Sequence, residues 1–423
     1  MRWYFYFVVL LFIVSDHCLA QPRQEDIYTD FVFYNKRQRL EKDLRENIIA
    51  KTFEQTLTTE NEHKFESACW AISQFMFRNE MVETGFRKII ASYDSLQNDT
   101  RRAFLEAVYG IYPMEYEKEI TDIFKKETEP KLFAMCALYL YRVNHSTESI
   151  NTIKIKMVEQ FPDYDSTALL IELDKFLTQH QTLVKQATPA INELVRYHQQ
   201  LGNKVIYSFQ RWNRDYPGLA IVQNADGSFV KREDGRIMIF EQLARSASAL
   251  PYFITNGNTP QGIYSIQGTA VANNNYIGPT PNLQLIMPFE DSLKKFFLDK
   301  WDSSVATLNA YQSLLPSSWR KYEPMMESFY AGKIGRTEII AHGTTIDPEY
   351  FKGKPWYPLS PTLGCLCAKE LWNVTSGRLL VSEQFNLYSA FTATTGQKGY
   401  LFVINLDDQQ KAVTREEIEK LVK

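Results

Sequence analysis

The chain has 423 residues, with 47 Lys and Arg against 50 Asp and Glu and a formal net charge of −3. That balance argues against nucleic acid as a partner and supplies no polybasic patch for a membrane surface. Hydrophobic residues are 44% and aromatics 14% of the chain, enough to bury a large core spread over two or three domains.

The first residues read as a secretory signal over 1–20. Arg2 gives a positive start, Trp3 to Val14 an apolar run, and Cys18-Leu19-Ala20 the exit before Gln21. The run is shorter than the roughly 20 residues a spanning helix needs, and an uncleaved N-terminal anchor is the alternative. Ser15, Asp16 and His17 do not suit a lipoprotein signal at Cys18. No other stretch is long and apolar enough to span a bilayer. The mature chain then has four cysteines, Cys69, Cys136, Cys365 and Cys367, too few for a disulfide scaffold.

Residues 25–200 read as an all-helical array. Apolar residues recur at helical spacing: Phe65, Cys69, Ile72 and Met76, then Val82, Phe86, Ile89 and Tyr93, then Phe104, Val108 and Ile111. Phe133, Cys136 and Leu140 follow, then Ile153, Met157 and Phe161. Breaks fall at Asn79, Asn98, Pro113, Pro130, Asn144 and Pro162. Cys69, Ala103 and Cys136 repeat at a helix-pair interval, the rhythm of an irregular α-solenoid without a repeat consensus. Both cysteines are expected as buried small hydrophobes, too far apart to bridge.

After a helix over Ile191 to Gln200 the pattern turns to strands: Val205 to Phe209, Leu219 to Gln223 with an Ala225-Asp226-Gly227 turn, Ile237 to Phe240, Tyr252 to Thr255 and Gly262 to Gln267. Residues 289–335 turn helical and unusually aromatic and interrupt this β region, which suggests a lid over a nearby site. The other reading of the segment is a brace. Ile339-Ile340-Ala341 leads to His342 as a strand. Tyr400 to Asn405 is a late strand, and Thr414 to Glu417 fits a capping box.

Two residues carry chemistry. His342, in HGTTIDPEYF, is the only histidine after His198, and Cys365 lies in SPTLGCLCAKE beside Gly364. A lone histidine and a lone cysteine in a domain are ordinarily core residues, but together they are the minimum for thiolate nucleophilic catalysis. The order, His before Cys, is the reverse of papain-like hydrolases. Asp347 is the nearest acid, with a turn role beside Pro348. Cys367, two residues from the nucleophile, is read as structural and facing the other way.

Three segments in order resemble the L,D-transpeptidases, whose catalytic domain is of YkuD type: Thr259, Pro260, Gly262 and Tyr264; then His342 and Gly343; then Thr362, Gly364, Cys365 and Leu366. The likeness covers about half of the chain. It implies an α+β protein of two domains, with the helical array followed by a mostly-β catalytic domain over 204–423 that carries a helical cap insertion at 289–335. It implies Cys365 as nucleophile, His342 as base oriented by the Gly343 carbonyl, and oxyanion donors in the Gly364, Leu363 and Cys365 backbone. Thr362 and Tyr264 would touch substrate. No metal or organic cofactor is implied. The partners would be peptidoglycan stem peptides in the periplasm or at the cell surface, with a further protein partner for the array. Leu363 departs from the family, which has a histidine there, and Cys367 stands where an arginine is frequent. Hydrolysis by water, or a non-catalytic wall-associated scaffold, are the alternatives.

Overall fold

The computed structural model describes residues 23–422; the expected signal segment 1–20 lies outside them. The protein is mixed helix and sheet, 45% helical and 14% strand, with an N-terminal helical array and a closed eight-stranded barrel.

The array follows the periodicity of its sequence. Helices Glu62–Phe75, Asn98–Ile111, Pro130–Val143 and Ala168–Leu183 pack one on the next, and Glu80–Ser92, Glu117–Phe124 and Thr147–Gln160 alternate with them. Their starts are set by side-chain caps. Asn79 accepts from the Val82 N–H, Glu129 from Leu132 and Ser146 from Ser149, each satisfying an N–H that the helix leaves orphaned. Cys69, Ala103 and Cys136 lie on three successive inner helices, and both thiols are buried and free.

The barrel begins with β1 (Val205–Gln210), β2 (Gly218–Gln223), β3 (Phe240–Leu243), β4 (Gly262–Ala270) and β5 (Asn282–Ile286). It continues with β6 (Ala341–His342) and β7 (Leu366–Ala368). A separate hairpin, β8 (Glu370–Trp372) and β9 (Leu379–Ser382), precedes β10 (Gly399–Asn405). The order around the barrel is β1-β10-β4-β5-β6-β7-β3-β2, with β1/β10 and β6/β7 parallel and the remaining pairs antiparallel.

Two-residue alternation sorts the barrel side chains. Ile206, Val222, Tyr264, Ile266, Leu283, Leu401 and Val403 face inward, where helix Glu383–Thr392 adds Leu387 and Phe391. Val205, Tyr207, Phe209, Ile263, Phe402 and Ile404 face outward. That outer face is covered by helix Ile191–Gln200, the inserted segment and the final helix Arg415–Leu421, which opens on the expected Thr414–Glu417 capping box. With both faces buried, β1 and β10 read as continuous apolar runs rather than alternating ones.

Two sequence expectations change. Residues Tyr252 to Thr255 are turns, not a strand. Left-handed Ala249 and Asn256 bracket them, and their side chains go to the array, with Tyr252 Oη donating to Glu172 at 2.5 Å and Phe253 lying edge-on to Phe176. The inserted segment is mainly a brace. Phe296, Phe297, Tyr311, Trp319 and Tyr322 are buried in the barrel's outer core, Trp319 Nε1 donates to Ala190 O at 3.2 Å, and Tyr197 Oη donates to Ser313 O at 2.7 Å. Its aromatic content is thus explained by burial. Its first residues turn toward the approach to β6, where Glu290 Oε1 accepts from the Glu338 N–H at 2.6 Å.

The array closes on the barrel domain of its own chain. Leu250, Phe253 and Ile254 enter the array's core. Arg37 pairs with Asp347 at 3.1 Å, and Glu106 accepts from Asn256 at 3.1 Å. At the other end, Ile27 and Val32 pack with Trp372 and Leu379 of the β8–β9 hairpin. Among the described residues no helix is long and apolar enough to cross a membrane.

If the inserted segment is a brace, Trp319→Ala should cost about 3–5 kcal/mol of stability, the usual range for removing a fully buried aromatic side chain. Chemical denaturation checks this. A loss below about 1 kcal/mol would return the segment to the status of a loosely attached cap.

Candidate active site

The site is built on the shortest pair of barrel strands. β6 and β7 run parallel with Ala341 opposite Leu366 and His342 opposite Cys367. Ala341 and Leu366 point into the barrel core. Their neighbours His342 and Cys367 therefore share the opposite, outer face, and Cys365 lies in the bend just before β7. The expectation that Cys367 faces away from Cys365 rests on strand alternation, which does not reach Cys365 in the bend before β7. Cys367 is buried all the same, and burial pushes its thiol well up, with the Glu370 carboxyl adding to the shift.

The imidazole is fixed by its own neighbour. His342 Nδ1 donates to the Gly343 carbonyl, the orienting contact that the resemblance implies. A carbonyl oxygen only accepts, so Nδ1 carries the proton and Nε2 holds the lone pair. Burial lowers the imidazole to about 4, with the Gly343 carbonyl pulling the other way. At neutral pH the ring is a neutral base.

The thiol is held from two sides. Cys365 Sγ accepts from the Ile340 N–H at 3.5 Å and donates to Glu338 O at 3.4 Å. Burial pushes this thiol up to about 11; Ile340 N–H and the Arg336 guanidinium pull it down, while Glu338 and Glu290 push it higher. The resting pair is thus a neutral thiol and a neutral imidazole, not the thiolate–imidazolium pair that spacing alone suggests.

The loop before the thiol is clamped by two threonines. Thr362 Oγ1 donates to Cys365 O at 2.9 Å and accepts from the Gly364 N–H at 3.0 Å. Thr259 Oγ1 donates to Gly364 O at 2.8 Å. Two sequence assignments change as a result. The Gly364 N–H is engaged by Thr362 and is not a ready oxyanion donor, and Thr362 is tied into the turn rather than presented to a substrate. The Cys365 and Leu363 N–H groups have no acceptor among the described residues. Leu363 is 40% exposed beside the thiol. Gly364 has φ +116°, and a Cβ there would meet Arg336 Nη2 at 2.4 Å and Gly257 O at 2.7 Å, so glycine is required at this position. Tyr264 is also corrected: it is fully buried in the barrel core, with Oη donating to Pro260 O at 2.8 Å, and cannot meet a substrate there.

Sequence reasoning missed two charged groups. Arg336 is buried behind Gly364, its guanidinium donating to the carbonyls of Tyr252, Asn258 (2.9 Å) and Gly257 (3.1 Å), with no carboxylate partner among the described residues. Glu370 lies against Gly343, accepts from the Thr344 N–H at 2.8 Å and from Ser382 Oγ at 2.6 Å, and is pushed up to about 7 by burial. It fixes the segment that orients His342. Neither stands out in one sequence, since the importance of each lies in its tertiary contacts. Asp347 keeps the expected turn role, accepting from the Glu349 N–H at 3.2 Å. No group of three or more His, Cys, Asp and Glu is placed to hold a metal among the described residues.

Glu370 gives a pH test. Its folded value, about 7, lies above the ordinary 4.5, so the carboxyl is neutral in the folded chain where it would be charged in the unfolded one. Its contribution to stability is fully present below 4.5 and lost as pH rises through 7. Relative to Glu370→Gln, the native chain should lose on the order of 3 kcal/mol between pH 4.5 and 8. Denaturant titrations of both proteins over that range measure it; a pH-independent difference would mean that the carboxyl is ionised throughout.

No family model, curated protein or solved structure matches this chain, so its functional reading rests on this geometry.

Proposed function

We propose that the chain is a cysteine-dependent acyltransferase acting on peptidoglycan stem peptides, an L,D-transpeptidase with a barrel of YkuD type, exported to the periplasm or the cell surface. The observation that carries the reading is the imidazole whose Nδ1 is committed to Gly343 O, on the strand whose approach, at Glu338 and Ile340, holds the Cys365 thiol. That tautomer leaves Nε2 unprotonated, as a general base requires.

In the first step His342 Nε2 takes the proton from Cys365 Sγ as sulfur bonds to the acyl carbon of the donor peptide. The carbonyl oxygen gains negative charge, with the Cys365 and Leu363 N–H groups as its candidate donors. The imidazolium then protonates the departing amine as the C–N bond breaks, leaving a thioester. In the second step a neighbouring stem's amine attacks the thioester, its proton passes to His342, and the thiol is restored by protonation as the C–S bond breaks. Water in place of the amine gives a carboxypeptidase. Arg336 behind Gly364 favours the negative charge that develops at sulfur, because a nearby cation lowers the cost of ionising a thiol.

The competing reading is a non-catalytic scaffold, favoured by a resting thiol as high as about 11. Three variants separate them, with stem-peptide turnover and carbapenem acylation (followed as a mass shift) as readouts. Cys365→Ala should abolish both while leaving the fold intact. Cys367→Ala should retain most of the activity. His342→Ala should slow turnover by about 10² to 10⁴. Unchanged acylation in Cys365→Ala, or no acylation of the native chain, sinks the enzyme reading.

A further inference from the structure

A second cavity, of about 190 Å³, lies at the seam where the array meets the barrel. Phe176 and His180 line it from the array, and Trp212, Arg214, Tyr252, Glu327 and Asn405 from the other domain. Two of its polar groups are buried without a hydrogen-bond partner in the protein, the Trp212 Nε1–H and the Asn405 Oδ1. Asn405 is only 2% exposed. A buried polar group without a partner costs free energy, and native interiors tolerate few of them.

Two opposite charges stand around the same space. Arg214 is buried and held by backbone carbonyls, Nη1 on Arg211 O at 3.2 Å and Nη2 on Thr259 O at 3.1 Å. Glu327 accepts from the Gln261 N–H at 2.8 Å and from Gln261 Nε2 at 3.2 Å. Each acts on the other's ionisation through space. They form no ion pair with each other, and neither has an ion pair elsewhere among the described residues. Desolvation dominates both, lowering the guanidinium to about 10 and raising the carboxyl to about 7. Opposite charges that face one cavity without meeting are matched by a molecule with the reverse polarity.

We propose that this cavity binds a small zwitterion, a free α-amino acid with a short side chain. Its carboxylate would lie toward Arg214 and the Trp212 N–H, and its ammonium toward Glu327 and the Asn405 carbonyl. Charge-assisted hydrogen bonds of this kind are the strong ones. The volume admits such a ligand, since 190 Å³ is the share of about six liquid waters. The aromatic wall of Phe176, Tyr252 and Trp212 limits the side chain. Thr259 connects this site to the other one: its carbonyl receives Arg214 and its hydroxyl holds Gly364 O. The proposal does not depend on what Cys365 does.

Isothermal titration of the full chain tests it, using glycine, both enantiomers of alanine, and serine, with acetate and methylammonium as half-ligands. The amino acids should bind at least about tenfold more tightly than either half-ligand. Trp212→Phe keeps the wall and removes only the N–H, and should weaken the amino acids about tenfold with thermal stability unchanged. Glu327→Gln should narrow the preference over acetate. No binding up to about 10 mM, equal binding of the half-ligands, or unaltered affinity in Trp212→Phe would overturn the proposal. So would a crystal soak that places the amino acid elsewhere.

Discussion

The parallel pairing of β6 with β7 is the constraint on which the rest of the site depends. Parallel neighbours cannot be joined by a tight hairpin, and their connection must leave the sheet and come back. Between His342 and Cys365 the chain therefore makes an excursion, and the structure uses it. Phe351, Trp356 and Leu359 pack over Leu243 of β3. Tyr350 meets Phe75 of the array with ring centroids 4.9 Å apart, and Arg37 grips the same excursion at Asp347 and at the Thr345 carbonyl. The array is thus docked on the segment that spaces His342 from Cys365. The residues between His342 and Cys365 form a strut between the two domains.

The electrostatics of the site follow from burial more than from paired charges. His342 and Cys365 are both desolvated, which drives the imidazole down and the thiol up, the direction that keeps each neutral. Such a pair does not rest as ions. Arg336 is a cation in place behind the loop that favours the charged form of this thiol. Its three carbonyl partners hold the guanidinium without cancelling its charge. A glycine at position 364 is what lets the guanidinium lie so close. The glycine beside the cysteine therefore has a second meaning besides access for a substrate.

Much of the architecture was legible because it rests on periodicity. The array's helices, the change to strands at Val205, the aromatic insertion and the Thr414 cap are local patterns. What the sequence concealed is tertiary. Tyr252 to Thr255 has strand composition, but its aromatic residues answer to the array rather than to a neighbouring strand. The β5 strand and the helix Glu383–Thr392 were not anticipated; the latter is capped by Ser382 and contributes only Leu387, Ala390 and Phe391 to the core, a weak signal in one sequence. At the site, the Gly343 carbonyl as partner of the His342 ring was legible from the local motif. Tyr264, Thr362 and Gly364 were misread because a motif gives the order of residues, not which way a hydroxyl or an N–H is turned. Arg336 and Glu370 were invisible since their importance lies in what they touch.

Thr259 shows how closely the two surfaces are linked. Its hydroxyl donates to Gly364 O and Cys365 O, while its carbonyl takes the Arg214 guanidinium that borders the seam cavity. One residue of the TPQG segment thus touches both the nucleophile loop and the charged wall behind it. A change at the seam that drew Arg214 away would remove a hydrogen bond from Thr259 and loosen the turn that sets the Cys365 backbone. The array supplies Phe176 and His180 to that seam, so its docking bears on the thiol from two directions: through the excursion that joins β6 to β7, and through the wall that holds Thr259. On this structure the array is part of the machinery that positions the cysteine, not an appendage to it.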